Sequence, residues 1–201
     1  MPKRLLDFLL ALAGLTFLAP ILALIALWIK SDSAGPIFFR QERVGLAGAS
    51  FRILKFRTMR ENAEQEGTLT IGDDPRITEA GRFLRKHKLD ELPQLLNVIR
   101  GQMSLVGPRP EVREYFDLYP KEAQRAMMTL RPGMTGLYPA ALFDENELLG
   151  RSLNPYQTYI SELIRLKASC VVQYAANNSL LGDMKIVLFT LRSLINGRRR
   201  A

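Results

Sequence analysis

At 201 residues the chain is long enough to bury the core of one domain. Its 28 Lys and Arg against 20 Asp and Glu leave a formal net charge of +8, a balance that suits anionic partners such as phosphates, nucleic acid or an acidic membrane surface. The single cysteine, Cys170, excludes a disulfide within the chain, and together with the single histidine, His87, it argues against zinc and for Mg²⁺ on carboxylates and phosphates.

Residues 5–29, LLDFLLALAGLTFLAPILALIALWI, carry Asp7 as their one charge. As a helix they would extend roughly 37 Å at ~1.5 Å per residue, enough to cross a bilayer with some tilt. The stretch is too long for a secretory leader, and no small-residue cleavage pattern follows it. Pro20 removes a helical hydrogen bond and clashes with the preceding turn, which predicts a kink. Lys3 and Arg4 before the segment and Lys30 after it draw both ends to the cytoplasmic side. A re-entrant helix bent at Pro20 satisfies both ends; a single kinked span is the alternative.

GPIFFRQERVG (35–45) and SFRILKFRTM (50–59) predict two strands joined by LAGA. Period-two alternation puts Phe51, Ile53, Lys55 and Arg57 on one face, which is either a solvated face or a charged strand end. ENAEQEGTLTIGDDPR (61–76) predicts a loop. RITEAGRFLRKHKL (76–89) predicts a helix capped by Thr78. DELPQLLNVIRG (90–101) predicts another, with Leu92, Leu95, Leu96 and Ile99 at helical spacing and Gly101 as its stop. MSLVGPRPE is short and extended, and Pro120 breaks the helices that follow. RPGMTG (131–136) predicts a tight turn, and residues 156–174 a helix. In the last helix Met184, Val187, Leu188, Leu191, Leu194 and Ile195 form a stripe, with Arg198 to Arg200 beyond Gly197. Such a helix suits a membrane interface as well as a core.

Asp90 and Glu91 stand between basic segments and have two readings. Asp90 is a good helix cap, acids suit a first helical turn, and Pro93 is tolerated there. Alternatively, Lys55 and Arg57, Arg109 of GPRP, and Arg131 of RPGMTG build an anion site around the pair. Prolines beside an arginine pre-organise its donor fork for phosphate oxygens. A carboxylate there, beside Mg²⁺, could attack phosphorus.

The stretches KRLLDF (3–8), GPIFFRQERVG, FRILKFRTM, LDELPQLLNVIRGQMSLVGPRP (89–110), RPGMTG and LLGDMKI (180–186) appear in the order of one family. In these the chain resembles the small monotopic phosphoglycosyl transferases of the bacterial sugar transferase family. The resemblance implies an α/β fold: a single compact domain with a re-entrant, Pro-broken membrane helix over 1–31, and a cytoplasmic catalytic domain over 32–201. That domain would hold a small β-hairpin and interfacial amphipathic helices. It implies transfer of a sugar phosphate from a nucleotide sugar, usually a UDP-sugar, to a polyprenol phosphate in a ping-pong route at the cytoplasmic face of the bacterial inner membrane. By position, Asp90 would be the nucleophile and Mg²⁺ ligand, with Glu91 assisting at the metal or with a proton. Lys55, Arg109 and Arg131 would hold phosphates, with Arg57 in a lesser place. Lys3 would pair with Asp183.

The break differs from the family's Ser-Pro, being Ala19-Pro20. After Gly136 the family's aromatic-Ala-Gln to Asn-Gly-Arg pattern is replaced by LYPAALFDENELLGRSLN, where Arg151 is a weak substitute and Asp144, Glu145 and Glu147 change the local charge. This departure predicts an unusual sugar or nucleotide preference. Partners implied are the nucleotide sugar, polyprenol phosphate and membrane phospholipid, with no nucleic acid, since no nucleic-acid motif appears. A homodimer is left open. The reading from another class is a membrane-anchored basic scaffold that binds anionic lipid or a partner without turnover.

Overall fold

A computed structural model describes residues 2–66, 70, 74–137 and 145–195. Asp144 and the basic tail Arg198 to Arg200 lie outside them, as do the side chains of Glu145 and Glu147. The molecule is a mixed helix and sheet domain with a long apolar N-terminal helix. Helix α1 (Pro2–Asp32) is uninterrupted at Pro20, so the expected break is not a gap in the helix. Packing on both sides of the proline offsets its local cost: Ala11, Leu15 and Leu18 before it, and Leu22, Ile25 and Ile29 after it, meet the rest of the domain.

Strands β1 (Phe38–Val44) and β2 (Ser50–Phe56) form the expected antiparallel hairpin, with Phe38 opposite Phe56 and Phe39 opposite Lys55. Strand β2 buries Phe51 and Ile53 on one face and Leu54 and Phe56 on the other, while Ser50 and Arg52 stay exposed. Phe51 and Ile53 join Ala11, Leu95, Val98 and Met103, whereas Phe56 joins Ile25, Ile29 and Leu84. Helix α2 (Glu79–Lys86) starts as predicted, with Thr78 Oγ1 accepting from Gly81 N at 3.0 Å. Helix α3 (Gln94–Ile99) ends at Gly101, whose φ of +79° favours glycine. Its last carbonyls are satisfied by Arg4, which donates to Val98 O at 2.5 Å and Ile99 O at 2.8 Å. A cation there also suits the negative end of the helix.

The segment RPGMTG is more than a turn. Gly133–Thr135 forms β4, parallel to β3 (Ser104–Val106). A Cβ on Gly133 would collide with the backbone of Gly107, so this junction requires glycine. Pro120 separates α4 (Arg113–Phe116) from α5 (Lys121–Thr129) as expected. Then come α6 (Glu145–Gly150), α7 (Pro155–Thr158), a wide π turn (Tyr159–Leu163), α8 (Ile164–Asn177) and α9 (Leu180–Ile195). Tyr115, Phe116, Ala123, Met127, Leu149, Tyr159 and Ile164 form a core among α4 to α8.

Both ends of α1 are fastened to this one body. At its start, Lys3 Nζ meets Asp183 Oδ2 at 2.5 Å and Val106 O at 3.2 Å, so the pair expected from the resemblance is present. Tyr174 donates to Asp183 Oδ1 at 2.7 Å. Buried Asp7 accepts from Ser104 Oγ at 2.8 Å and Leu105 N at 3.2 Å. At its far end, Asp32 accepts from Ala80 N, and Arg57 binds the last carbonyls. Between the two fastenings the outer side of α1 is apolar and bare, including Leu5, Leu9, Phe17, Ile21, Leu24 and Leu27, with Phe17 82% exposed. On α9, Leu181, Leu188, Phe189 and Leu191 are also exposed, whereas Met184 and Val187 are half-buried.

Candidate active site

Asn97 sets the register of the site. Fully buried on α3, it accepts from Leu54 N at 2.9 Å and donates to Arg52 O at 2.9 Å. This clamps α3 to β2 and brings the turn before α3 against Lys55. That turn begins at Lys88, left-handed with φ of +57°, and runs tightly through Leu89–Glu91 before Pro93 leads into α3. Asp90 therefore lies within a short turn and caps no helix, which corrects the cap reading. The reason is local: Lys88 turns the chain earlier than Asp90, so the α-helix starts only at Gln94.

Lys55 Nζ donates to Glu91 Oε1 at 2.8 Å, and Arg109 Nη2 donates to the same oxygen at 3.2 Å. Burial pushes the Glu91 carboxyl up, but Lys55 and then Arg109 outweigh it and hold it well below the usual range. Burial lowers the Lys55 ammonium despite its partner. Asp90 is in the opposite state. It is buried, and among the described residues its Oδ1 has no hydrogen-bond partner. Burial raises its carboxyl above the ordinary value, against the pull of Lys55, Arg85 and Lys88, and the neighbouring Glu91 charge adds to the rise. A bare buried acceptor is costly, and it is also a group ready to bond to a cation or an electrophile.

The structure thus gathers Lys55 and Arg109 on Glu91, and Lys55, Arg85 and Lys88 act on the neighbouring Asp90. It takes Arg57 elsewhere: the guanidinium, 5% exposed as a residue, donates to Ser33 O at 2.7 Å, Ser33 Oγ at 3.0 Å, Ile29 O at 3.3 Å and Ala34 O. Arg57 holds down the end of α1. Arg131 is exposed and its Nε donates to Gly101 O at 3.0 Å, and Arg151 is exposed just beyond α6. The Arg131 bond runs to the end of α3 and not to the acidic pair. Two cations that act on Asp90 were not singled out from the sequence, Arg85 and Lys88. Arg85 is fixed by Thr58 Oγ1 at 2.8 Å, a contact 27 residues apart that no local pattern signals. Both cations belong to the basic run Arg82, Arg85, Lys86, His87 and Lys88 that precedes the pair.

The profile of the bacterial sugar transferase family matches residues 1–197. The chain belongs to the bacterial sugar transferase family. A UDP-glucose:undecaprenyl-phosphate glucose-1-phosphate transferase of Caulobacter vibrioides is 45% identical over 199 residues, covering 96% of this chain and 69% of that protein. The exopolysaccharide production protein ExoY of Sinorhizobium fredii is 37% identical, covering 98% of this chain and 86% of that protein. A UDP-N-acetylgalactosamine-undecaprenyl-phosphate N-acetylgalactosaminephosphotransferase of Aeromonas hydrophila is 36% identical, covering 97% of this chain and 44% of its own length. This sugar transferase is accordingly an enzyme of the phosphoglycosyl transferase class.

Proposed function

We propose that this enzyme moves a sugar 1-phosphate from a nucleotide sugar of the UDP class to a membrane polyprenol phosphate, through a phosphosugar carried on Asp90. The observation that carries the reading is the buried, unpartnered Asp90 Oδ1 among Lys55, Arg85 and Lys88. In the first step Asp90 bonds to the sugar-bearing phosphorus, and the bond from that phosphorus to the nucleoside monophosphate breaks. The monophosphate leaves with the electron pair. In the second, an oxygen of the polyprenol phosphate attacks the same phosphorus and the Asp90 carboxylate is released. Lys55 and Arg109 neutralise phosphate charge during both steps. Glu91, held well below the usual carboxylate range, is a poor base at neutral pH; it serves as a fixed charge that orients those two cations.

Asp90 and Glu91 also fit Mg²⁺. The ion prefers hard oxygen donors and is commonly held by one or two carboxylates plus substrate phosphates. Bound there, it would supply charge neutralisation for the phosphoryl group. The test is a screen of nucleotide sugars, with polyprenol phosphate, for nucleoside monophosphate release. Release from at least one donor, stopped by chelation of Mg²⁺, is expected; release from none sinks the reading.

We further propose that the enzyme sits on one face of the membrane, the cytoplasmic face of the inner membrane. A helix fastened at both ends to a single body favours re-entry over a crossing. The bare apolar side of α1 and the exposed leucines of α9 would face the acyl chains. Trp28 and Phe83, with ring centroids 5.3 Å apart, and the exposed Lys30, Arg82, Lys86 and Lys88 suit the headgroup layer. Re-entry then relies on a bend or tilt of α1. Single cysteines at Pro2 and Ala34, in a Cys170→Ser background, should both react with an impermeant thiol reagent added from the cytoplasmic side. Protection of one of them would establish a span instead.

A further inference from the structure

The segment Gly107 to Glu111 is gripped at both ends. At its start Gly107 N donates to Thr135 O at 2.9 Å, and Gly133 N donates to Pro108 O at 2.8 Å, so β4 holds it. At its end Arg43 Nη1 donates to Pro110 O at 3.1 Å and Val44 N donates to Glu111 O at 2.9 Å, so the end of β1 holds it. Between the grips stands Arg109, which reaches Glu91. The prolines on either side restrict the backbone but do not say where the segment lies; the grips do.

Beneath the β1 grip is a buried charge cluster that the transfer reaction does not use. Glu111 is 3% exposed. Its Oε1 accepts from Tyr119 OH at 2.9 Å and lies 3.5 Å from Lys167 Nζ, and its Oε2 lies 4.0 Å from Arg43 Nη1. Lys167, 4% exposed, also donates to Tyr159 OH at 3.2 Å. The other arm of the Arg43 fork donates to Gln41 Oε1. Apolar side chains of the same volume would commonly give equal or better stability than buried ions. What two cations on one carboxylate provide is direction. They aim the Arg43 fork at the Pro110 carbonyl.

We propose that Arg43 and Glu111 are positioning residues that fix where Arg109 stands, and through it the phosphate-binding geometry beside Asp90 and Glu91. Their hydrogen bonds and ion pairs lie on the segment and its cluster; Arg43 also feels the charges of Arg109 and Glu91 through space, and Arg43→Lys keeps that charge while removing the fork. The kinetic part of this proposal rests on the transfer reading above; the anchoring part does not.

The test uses Arg43→Lys, which keeps the charge but loses the fork that holds Pro110 O and Gln41 together. In the full-length enzyme it should lower kcat for monophosphate release on the order of tenfold to a hundredfold, the scale of an ångström's misplacement. In an Arg109→Ala background the same change should cost nothing further. An equal fold-loss in both backgrounds would mean a general structural role and would overturn the proposal. Amide hydrogen exchange at Val44, Gly107 and Arg109 should quicken in Arg43→Lys while α8 stays protected; unchanged exchange also overturns it. If Arg43→Lys does not fold, Glu111→Gln keeps an acceptor for Tyr119 and should give the same pattern. A wild-type enzyme that releases no monophosphate from any donor refutes the transfer reading, and the exchange measurement still decides the anchoring.

Discussion

Asp90→Asn should lower monophosphate release by four orders of magnitude or more, the scale seen when a covalent nucleophile is removed, while leaving the fold as stable as before or more so. The argument is electrostatic. Asn has the same shape and no charge, and the native carboxylate is buried with an unpartnered Oδ1. Because burial raises the folded Asp90 carboxyl above its unfolded value, the folded protein holds that proton more tightly. Its contribution to stability is therefore greatest below the unfolded pKa and falls as pH rises through the raised value. The Asn variant lacks this loss, so any gain in Tm should grow as pH rises above the unfolded value. Donor alone should add a phosphosugar mass to the wild type and none to the variant. A helix cap would behave differently, since Asn also caps well and activity would survive. Retained turnover would end the nucleophile assignment.

Lys55→Met is expected to cost about 3 kcal/mol of stability, the low end for stranding one member of a buried ion pair, because Arg109 still faces Glu91. Lys55 and Glu91 side chains are each 18% exposed, so solvent screening does not remove the penalty. Activity should fall about 10²- to 10³-fold with the loss of one preorganised cation. The pH dependence should change as well. In the wild type the Glu91 carboxyl is held below its unfolded value, so its stabilisation is present above the unfolded pKa and is lost as pH falls through the range beneath it. Without Lys55 that acid-side loss should shrink. Adding Glu91→Gln to Lys55→Met should restore part of the stability, since no charge is then stranded. If the double variant is no better than the single one by denaturant unfolding, the cost lies in packing of the lysine stem.

Much of the fold was legible locally. Thr78 caps α2 because a threonine before an acidic first turn needs no distant partner. The hairpin follows from two alternating runs and a short connection. Failures arose where a pattern was carried past its element. Arg57 follows Lys55 by period two, yet β2 ends at Phe56, and beyond that end Arg57 turns to the carbonyls that close α1. The strand within RPGMTG depends on β3, some thirty residues away, so its own composition signals only a turn. Arg85 and Arg43 were not singled out for the same reason. What fixes them are Thr58 in one case and Glu111 and Pro110 in the other.

The sequence by itself determined the long apolar N-terminal helix, the basic balance, the order of the motifs and the family, because these reside in composition and short spacings. Only the tertiary structure decided the states of the two acids. Asp90 and Glu91 are adjacent and almost alike in chemistry, but Asn97 turns one toward Lys55 and Arg109 and leaves an oxygen of the other bare. Their opposite shifts arise from burial and from how Lys55 and Arg109, 36 and 18 positions from Glu91, are packed against the pair, and no local pattern of residues contains that packing.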